Sequence, residues 1–409
     1  MIDPQWNGLR VLYNAPYELS STGALLMFHF SGKLDHLLEP RAYYDPAWYG
    51  REQATIFRPG WNLHCLAAEV ARPGDRYAAT IAGRPVVVVN DGGSLNAFSN
   101  VCGHRHSLIC PVGPGRGERM KCQIHGWEYD AEGHLAKIPD GKHFKVVKPG
   151  DFSLHRYRAE RCGPFVFVSL APEGPSFEEH LGTLAEEFHR WYDDVRLVDV
   201  WIHEHDVNWK VPVENGVESY HVPMVHPTTY QDHRDEELHD HRLEPTFTRY
   251  GDLLPYEKKP GLVSLGFRIY THWLIRDPTF ERFTHTHVFP NIMLYYGDVY
   301  RGLTVIEPLG PRRFRYRGYG FVPRDVRFGW LGRRIQDLSM LLFIRMGRKI
   351  IGEDAVLWPP VQQGLESSDH RGVLSAREER VYAFQRYVCE TTGGIAPFEP
   401  TDTEPANSQ

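Results

Sequence analysis

Between residues 102 and 125 the chain reads CGHRHSLICPVGPGRGERMKCQIH. Cys102-x-His104 is followed, after seventeen residues, by Cys122-x-x-His125. Two soft thiolates and two imidazoles in paired, short-spaced loops are metal ligands by type and by spacing. A chain with such a set has to bring two loops together around a metal, which restricts its fold more than any other stretch does. A structural zinc ordinarily takes two cysteines and then two histidines. Here each half supplies one of each. That is the ligand order of a [2Fe–2S] centre in which two cysteines hold one iron and two histidines the other.

The flanks sharpen this reading. Asn100-Val101 leads in, Gly126-Trp127-Glu128-Tyr129-Asp130 follows His125, and Gly133 and Leu135 lie beyond. With them, the stretch resembles the Rieske domain of the terminal oxygenase components of Rieske non-heme iron oxygenases. The resemblance implies a [2Fe–2S] cluster on Cys102, His104, Cys122 and His125. One position departs from the pattern: His104-Arg105-His106 stands where the family usually has His-Arg-Gly. Cys110 lies in the loop outside the ligand positions and reads as a small buried thiol.

At 409 residues the chain is long enough for two domains with separate cores. A net charge of −6 and the lack of a Lys/Arg block argue against nucleic-acid binding. The four cysteines outside the cluster motif, Cys65, Cys110, Cys162 and Cys389, are scattered and make no disulfide framework. The start, MIDPQWNGLR, lacks a signal-peptide pattern, and no apolar run is long enough for a membrane span. A reduced cytoplasm is the expected setting, with no membrane partner.

Residues 1–40 read as an arm, with apolar patches such as Ala24 to Phe28. From 41 to 175 the pattern is a small β-rich domain. Asp45-Pro46 opens a helix to Phe57, Val86–Val89 and Leu95–Phe98 are strands, and Gly163–Leu170 is a closing buried strand before a Pro/Gly linker. From 176 to 409 the spacing predicts a helix over Phe177–Trp191 and strands at Phe267–Ile275, His285–Tyr296, Leu303–Pro308 and Phe314–Phe321. A long helix over Val326–Leu357 follows, then a last one opened by Ser375 and Glu378 at capping-box spacing. The fold class is α+β: an all-β cluster domain, then an antiparallel sheet held by a long helix. The resemblance implies a helix-grip, START-like form for the second domain.

A second constellation lies in Asn208 to Pro227. His221 and His226 would diverge by about 140° on an unbroken helix, but Pro223 and Pro227 interrupt it, so that His221 finishes a helix and His226 projects from the turn beyond. Two imidazoles and one carboxylate on a single face suit a non-heme Fe(II) with open positions. The pattern ENxxExYHxxxxHP, then Glu353-Asp354 and Gln362-x-Gly364-Leu365, and the closing stretch Gly372–Val388 resemble the same oxygenases, so the resemblance covers residues 41–390. It implies His221, His226 and Asp354 as iron ligands, with Glu353 as the alternative carboxylate. It also implies that Glu218 bridges His221 to His125 of a neighbouring chain, and that Asn208 stands beside the open iron positions. Read alone, Glu218 is a helix-surface carboxylate and Asn208 a capping side chain.

The expected activity is therefore that of a terminal oxygenase. It would use O₂ and NAD(P)H-derived electrons to hydroxylate, or hydroxylate and then dealkylate, a small organic substrate. The resemblance implies a separate reductase, with or without a ferredoxin, and a homotrimer. The alternative is a Rieske electron-transfer protein without oxygenase chemistry. Glu at the bridging position resembles the branch acting on quaternary ammonium compounds, while an aromatic compound fits the composition equally. Phe283, His285, His287, Phe289, Asn291, Met293 and Tyr295, alternating along one expected strand, and Trp358 are pocket candidates, with ordinary sheet core as the alternative. The paired histidines His203 and His205, and likewise His285 and His287, read as structural rather than metal-binding, and 231–242 as a polar loop and candidate lid.

Overall fold

The computed structural model describes residues 34–145, 147–148, 150–229, 239–252, 269–276 and 284–393. The expected arm up to residue 33, positions 231–238 of the candidate lid, Phe283 and the tail beyond Gly393 lie outside the described residues.

The first sheet has seven antiparallel strands in the order Asn62–Leu66, Phe165–Ser169, Arg156–Cys162, Ser94–Ser99, Arg84–Asp91, Asp75–Ile81 and Gly113–Arg116. Val86 to Val89 and Phe165 to Val168 are buried throughout, as unbroken apolar runs covered on both faces should be. Three short strands, Met120–Lys121, Glu128–Tyr129 and Leu135–Lys137, form a separate small sheet around the second metal-motif loop. Asp45 caps the helix Pro46–Glu52 through Oδ1, which accepts from Ala47 N at 2.7 Å. That helix belongs to the second half of the molecule by packing. Trp48, Ile56 and Phe57 share a core with Trp209, Val211 and Phe384, and the fully buried Glu52 accepts from Lys210 Nζ at 2.6 Å and Trp209 Nε1 at 2.9 Å.

The second sheet is also seven-stranded and antiparallel: Val195–His205, Arg313–Pro323, Arg301–Gly310, Ile292–Tyr296, Thr284–Val288, Phe247–Asp252 and His239–Leu243. The long helix is Gly329–Ala355. It breaks at Val356–Leu357, and Trp358–Ser367 continues as a new helix with proline in its first turn, where no N–H is needed. Glu378 caps the last helix region as its spacing predicts, accepting from Ser375 N at 2.8 Å ahead of the helix Glu379–Thr391.

Three sequence expectations are corrected. Residues 269–274 are helical rather than extended. Thr271, Leu274 and Ile275 are buried while Ile269 is exposed, and Leu274 and Ile275 pack with Val299, Val322 and Met340, so packing at helical period overrides a β-branched and aromatic composition. The run His285–Tyr296 is a hairpin, with Val288 opposite Ile292 and Thr284 opposite Tyr296. Pro290, which cannot donate to a ladder, marks the turn, and the Phe289–Pro290 bond is cis. His239–Leu243, within the stretch read as loop, is the edge strand beside Phe247–Asp252.

Candidate functional site

The two cluster-motif loops share one backbone pattern. Cys102 N donates to Ser107 O at 2.8 Å and Cys102 O accepts from His106 N at 3.0 Å; Cys122 N donates to Trp127 O at 2.8 Å and Cys122 O accepts from Gly126 N at 2.9 Å. The fourth residue after each cysteine must be left-handed for this turn: φ is +60° at His106 and +69° at Gly126. The family's usual glycine is thereby explained, and His106 makes the same turn with a side chain.

The rings of His104 and His125 meet at 4.5 Å between centroids, and His104 stacks on Trp127 at 5.1 Å. Cys102 Sγ lies 3.4 Å from Tyr129 Oη, which also accepts from Gly103 N at 3.0 Å. For Cys122, burial alone would push the thiol up. N–H groups of Ile124 and His125 and the sulfur and hydroxyl of Cys102 and Ser107 outweigh it, and the thiol is shifted down toward thiolate. Cys102 is shifted up, chiefly by burial. His104 Nδ1 is buried without a hydrogen-bond partner. Two paired thiols, two facing imidazoles and an orphaned ring nitrogen fit a [2Fe–2S] group. Cys110 is buried and free; the other cysteines are free too, all buried except the half-buried Cys389.

The second constellation assembles differently from the expectation. The helix Lys210–Gly216 ends before Glu218, and a short helix, Val222–Val225, separates the two histidines. His221 precedes it and His226 follows it, with Pro223 as a helix-start residue rather than a breaker. Glu218 therefore reaches His221 through a turn: one oxygen accepts from His221 Nδ1 and the other from the Tyr220 and His221 backbone N–H groups. On the other side, Glu353 Oε2 accepts from His226 Nδ1 at 2.8 Å and from Thr229 Oγ1 at 2.6 Å. With both Nδ1 atoms held by carboxylates, both Nε2 atoms are left for the centre of the site.

Asp354 Oδ1 sits there, 3.0 Å from His226 Nε2 and 3.4 Å from His221 Nε2. It is buried and aligned for a hydrogen bond with neither. One ligand atom from each of His221, His226 and Asp354 lies within 4.8 Å of the others. Burial would lower the His221 imidazole, but the Asp354 and Glu218 carboxylates raise it to about 9. A tight cationic demand on two imidazoles and a carboxylate is the donor chemistry of a divalent metal. Glu353, the alternative ligand, is occupied with His226 Nδ1 and Thr229.

This triad lies on the wall of a cavity of about 790 Å³. Its lining includes Asn215, Glu218, Trp201, His285, Tyr295, Tyr316 and Arg380. Of the pocket candidates, His285 and Tyr295 line it, stacked across the hairpin at 4.8 Å. His287, Phe289, Asn291, Met293 and Trp358 do not. His287 and Phe289 pack on Phe384, Asn291 donates to Ile306 O, Met293 is in the same core cluster as Trp358, and Trp358 Nε1 donates to Asn215 Oδ1 at 2.8 Å. Asn208 is likewise away from the cavity. It is buried, with Oδ1 accepting from Lys210 N at 3.0 Å, Nδ2 donating to Pro311 O at 2.8 Å, and its N–H donating to Gln362 Oε1 at 2.9 Å. It holds the first N–H of the helix Lys210–Gly216, and Asn215, near the end of that helix, is the asparagine at the cavity. Cavity residues missed in the sequence, Trp201, Tyr316 and Arg380, come from three distant segments, and no local signal marks them. Among the described residues no helix is long and apolar enough to cross a membrane.

A family model described as the Rieske [2Fe-2S] domain matches residues 60–148, and one described as the ring hydroxylating alpha subunit (catalytic domain) matches residues 186–394. Choline monooxygenase of Spinacia oleracea is 25% identical over 338 residues, 80% of this chain and 72% of that protein. The large subunit of 2-halobenzoate 1,2-dioxygenase of Burkholderia cepacia is 31% identical over 196 residues, 44% of this chain and 42% of that protein. A crystal structure of a quaternary ammonium Rieske monooxygenase shares the fold, with a TM-score of 0.72 at 21% identity over 88% of this chain and 96% of that one. The match across 60–148 sets the zinc alternative aside, and the match across 186–394 does the same for a bare electron carrier. Since the catalytic-domain match runs through half of the chain and takes in His221, His226 and Asp354 alike, the chain belongs to the ring-hydroxylating alpha subunits, the terminal oxygenases of Rieske non-heme iron systems that act on small substrates.

Proposed function

We propose that Cys102, His104, Cys122 and His125 hold the [2Fe–2S] cluster and that His221, His226 and Asp354 hold the mononuclear iron of this oxygenase. When bound, the cluster passes single electrons to the iron, which activates O₂ beside the substrate. The chain supplies position and protection. Glu218 and Glu353 fix the two ring tautomers, and Asp354 supplies the anionic ligand. Asn215, tied to Trp358, and the aromatic wall of Trp201, Tyr295 and Tyr316 shape the space for a small organic molecule. The observation that carries this reading is the orphaned Asp354 Oδ1 between two Nε2 atoms on the cavity wall.

Residues 41–175 serve as the cluster domain and 176–409 as the catalytic domain in this reading, with the helix near residue 50 packed on the catalytic core. Electrons come from a separate NAD(P)H reductase, directly or through a ferredoxin, since nothing in the sequence resembles a nucleotide-binding domain. The six free cysteines suit a reducing, cytoplasmic setting. A homotrimer in which Glu218 joins His221 to His125 of the next subunit accounts for two exposed apolar rims. Val112 and Ile124 flank the cluster at 73% and 62% exposure, and Tyr220 and Met224 flank His221 at 60% and 84%.

Metal analysis and peroxide-driven turnover test the assignment. The reconstituted protein should hold three irons per chain, two in the cluster. Mass spectrometry should show a product with one added oxygen or one lost alkyl group, which Asp354→Ala abolishes. Protein that holds the cluster and never a third iron would sink the iron-site assignment.

A further inference from the structure

The cavity contains a buried positive charge that the ligand assignments leave unused. Arg380 opens the helix Glu379–Thr391, is 2% exposed, and lines the same cavity as the triad. A guanidinium has five N–H donors and keeps its charge at any ordinary pH. The protein gives Arg380 two long contacts with neutral groups: Nε donates to Thr248 Oγ1 at 3.2 Å and Nη2 to His285 O at 3.4 Å. Among the described residues no carboxylate forms an ion pair with it. The preceding residue, Glu379, directs Oε1 to His241 Nδ1 at 2.9 Å. Burial pulls the guanidinium down to about 9, and Tyr250, Tyr295 and Glu379 offset only part of this. A charge left in this state is costly unless an anion completes it.

A second group points the same way. His285 lines the cavity, is buried, and leaves Nε2 without a hydrogen-bond partner. Its imidazole is held neutral, first by burial and then by Arg380 and His287. A neutral ring with Nε2–H donates one hydrogen bond to an anion beside Arg380. Tyr295 stacks on His285 and feels the charges of both Arg380 and Asp354, so the basic end of the cavity and the metal end are joined by one aromatic ring. The four acids on the wall are differently engaged: Asp199 is paired with Arg348, Glu218 holds His221, Asp354 belongs to the triad, and Asp298 is buried with a partner of its own.

We infer that the substrate is an organic carboxylate whose carboxyl group docks on Arg380 and His285 while the carbon to be oxidised faces His221, His226 and Asp354. The inference rests on the iron-site reading for its second half only. The carboxylate dock stands on the cavity itself. Two substrate types share this chemistry, an aromatic acid and a betaine that carries a quaternary ammonium as well, and the aromatic wall accommodates either a ring or a cation.

Binding to the iron-loaded holoenzyme, measured by calorimetry without turnover, separates the cases. The probes are benzoate against benzamide and glycine betaine against choline, so that each pair differs in the carboxylate. At least one carboxylate should bind wild type about ten- to a hundredfold more tightly than its mate, as a charge-assisted contact requires. Arg380→Gln should erase that preference with the cluster absorption and iron content unchanged, and Arg380→Lys should keep part of it. Benzoate preference would name an aromatic acid, betaine preference a betaine. If neither carboxylate outbinds its mate in wild type, or if a folded Arg380→Gln protein keeps the preference, the inference is overturned. Missing mononuclear iron would be a failure of the iron-site reading instead, and it is read from the metal content alone.

Discussion

Glu353 and Asp354 are neighbours with opposite duties, and the difference comes from what each oxygen meets. Asp354 Oδ1 lies between two ring nitrogens without a hydrogen bond to either, whereas Glu353 Oε2 accepts from His226 Nδ1 and Thr229 Oγ1. Asp354→Ala should therefore lose the mononuclear iron and keep the cluster, which metal analysis and the visible spectrum read separately. Glu353→Gln should keep an iron that binds about ten- to a hundredfold more weakly, because the carboxylate holding a ligating histidine tunes its affinity; competition with a chelator measures it. His106 is a third residue with a clear physical signature. At φ +60° a side chain is strained by about 1 kcal/mol, so His106→Gly should raise the denaturation midpoint of the cluster domain, followed by loss of the visible absorption.

At the scale of elements, the long helix Gly329–Ala355 delivers both acidic residues, and its first turn packs without room to spare. A Cβ on Gly332 would stand 1.9 Å from Arg327 O. Gly332→Ala should destabilise the catalytic domain by about 1–3 kcal/mol, measurable by urea unfolding. The strand Asn62–Leu66 carries a different liability, His64, which is fully buried with Nε2 3.0 Å from Tyr77 O. Burial lowers its imidazole to about 4, against about 6.5 in the unfolded chain. Between these values the unfolded chain binds more protons, so the stability is fully present above pH 6.5 and is lost as the pH falls toward 4. His64 alone contributes on the order of 3 kcal/mol to that loss. Thermal melting across pH 4 to 7 should show a shallower acid slope in His64→Gln than in wild type. His287, lowered to about 3 by burial, adds to the slope in the same direction.

At the scale of the whole molecule, the cluster loops belong to the β-rich first domain and the triad stands at the ends of the helix Val222–Val225 and on the helix Gly329–Ala355, and each is rimmed by exposed apolar side chains. If electrons cross between subunits, two inactive variants should rescue each other. Co-expression of His125→Ala with Asp354→Ala should restore roughly a quarter of the wild-type turnover on random mixing in a ring, since half of the chains keep the iron and half of their neighbours keep the cluster. Transfer within one chain predicts no rescue. The exposed Tyr220 and Met224 are the positions where a charge should weaken both assembly and rescue.

Both candidate ligand sets were legible in the sequence because ligand chemistry is local. Cys-x-His and Cys-x-x-His, a histidine pair five residues apart and an adjacent acidic pair announce themselves by type and spacing. The capped helices and buried strands were legible for the same reason, since caps and apolar runs act within a few residues. The hairpin turn at Pro290, the helix at 269–274 and the position of Asn208 were misread, because composition there agrees with more than one local structure and only packing chooses. Most of the cavity wall was beyond reach, although His285 and Tyr295 were among the pocket candidates. Trp201, Tyr316 and Arg380 are separated by up to 179 positions in the chain, and whether an arginine is solvated or buried on a cavity wall is set by which strands and helices close around it. The sequence determined which ligand-type side chains stand at metal spacing, because coordination is short-ranged chemistry. The tertiary structure decided what the metals face, because burial and charge in a cavity are properties of surfaces that meet only after folding.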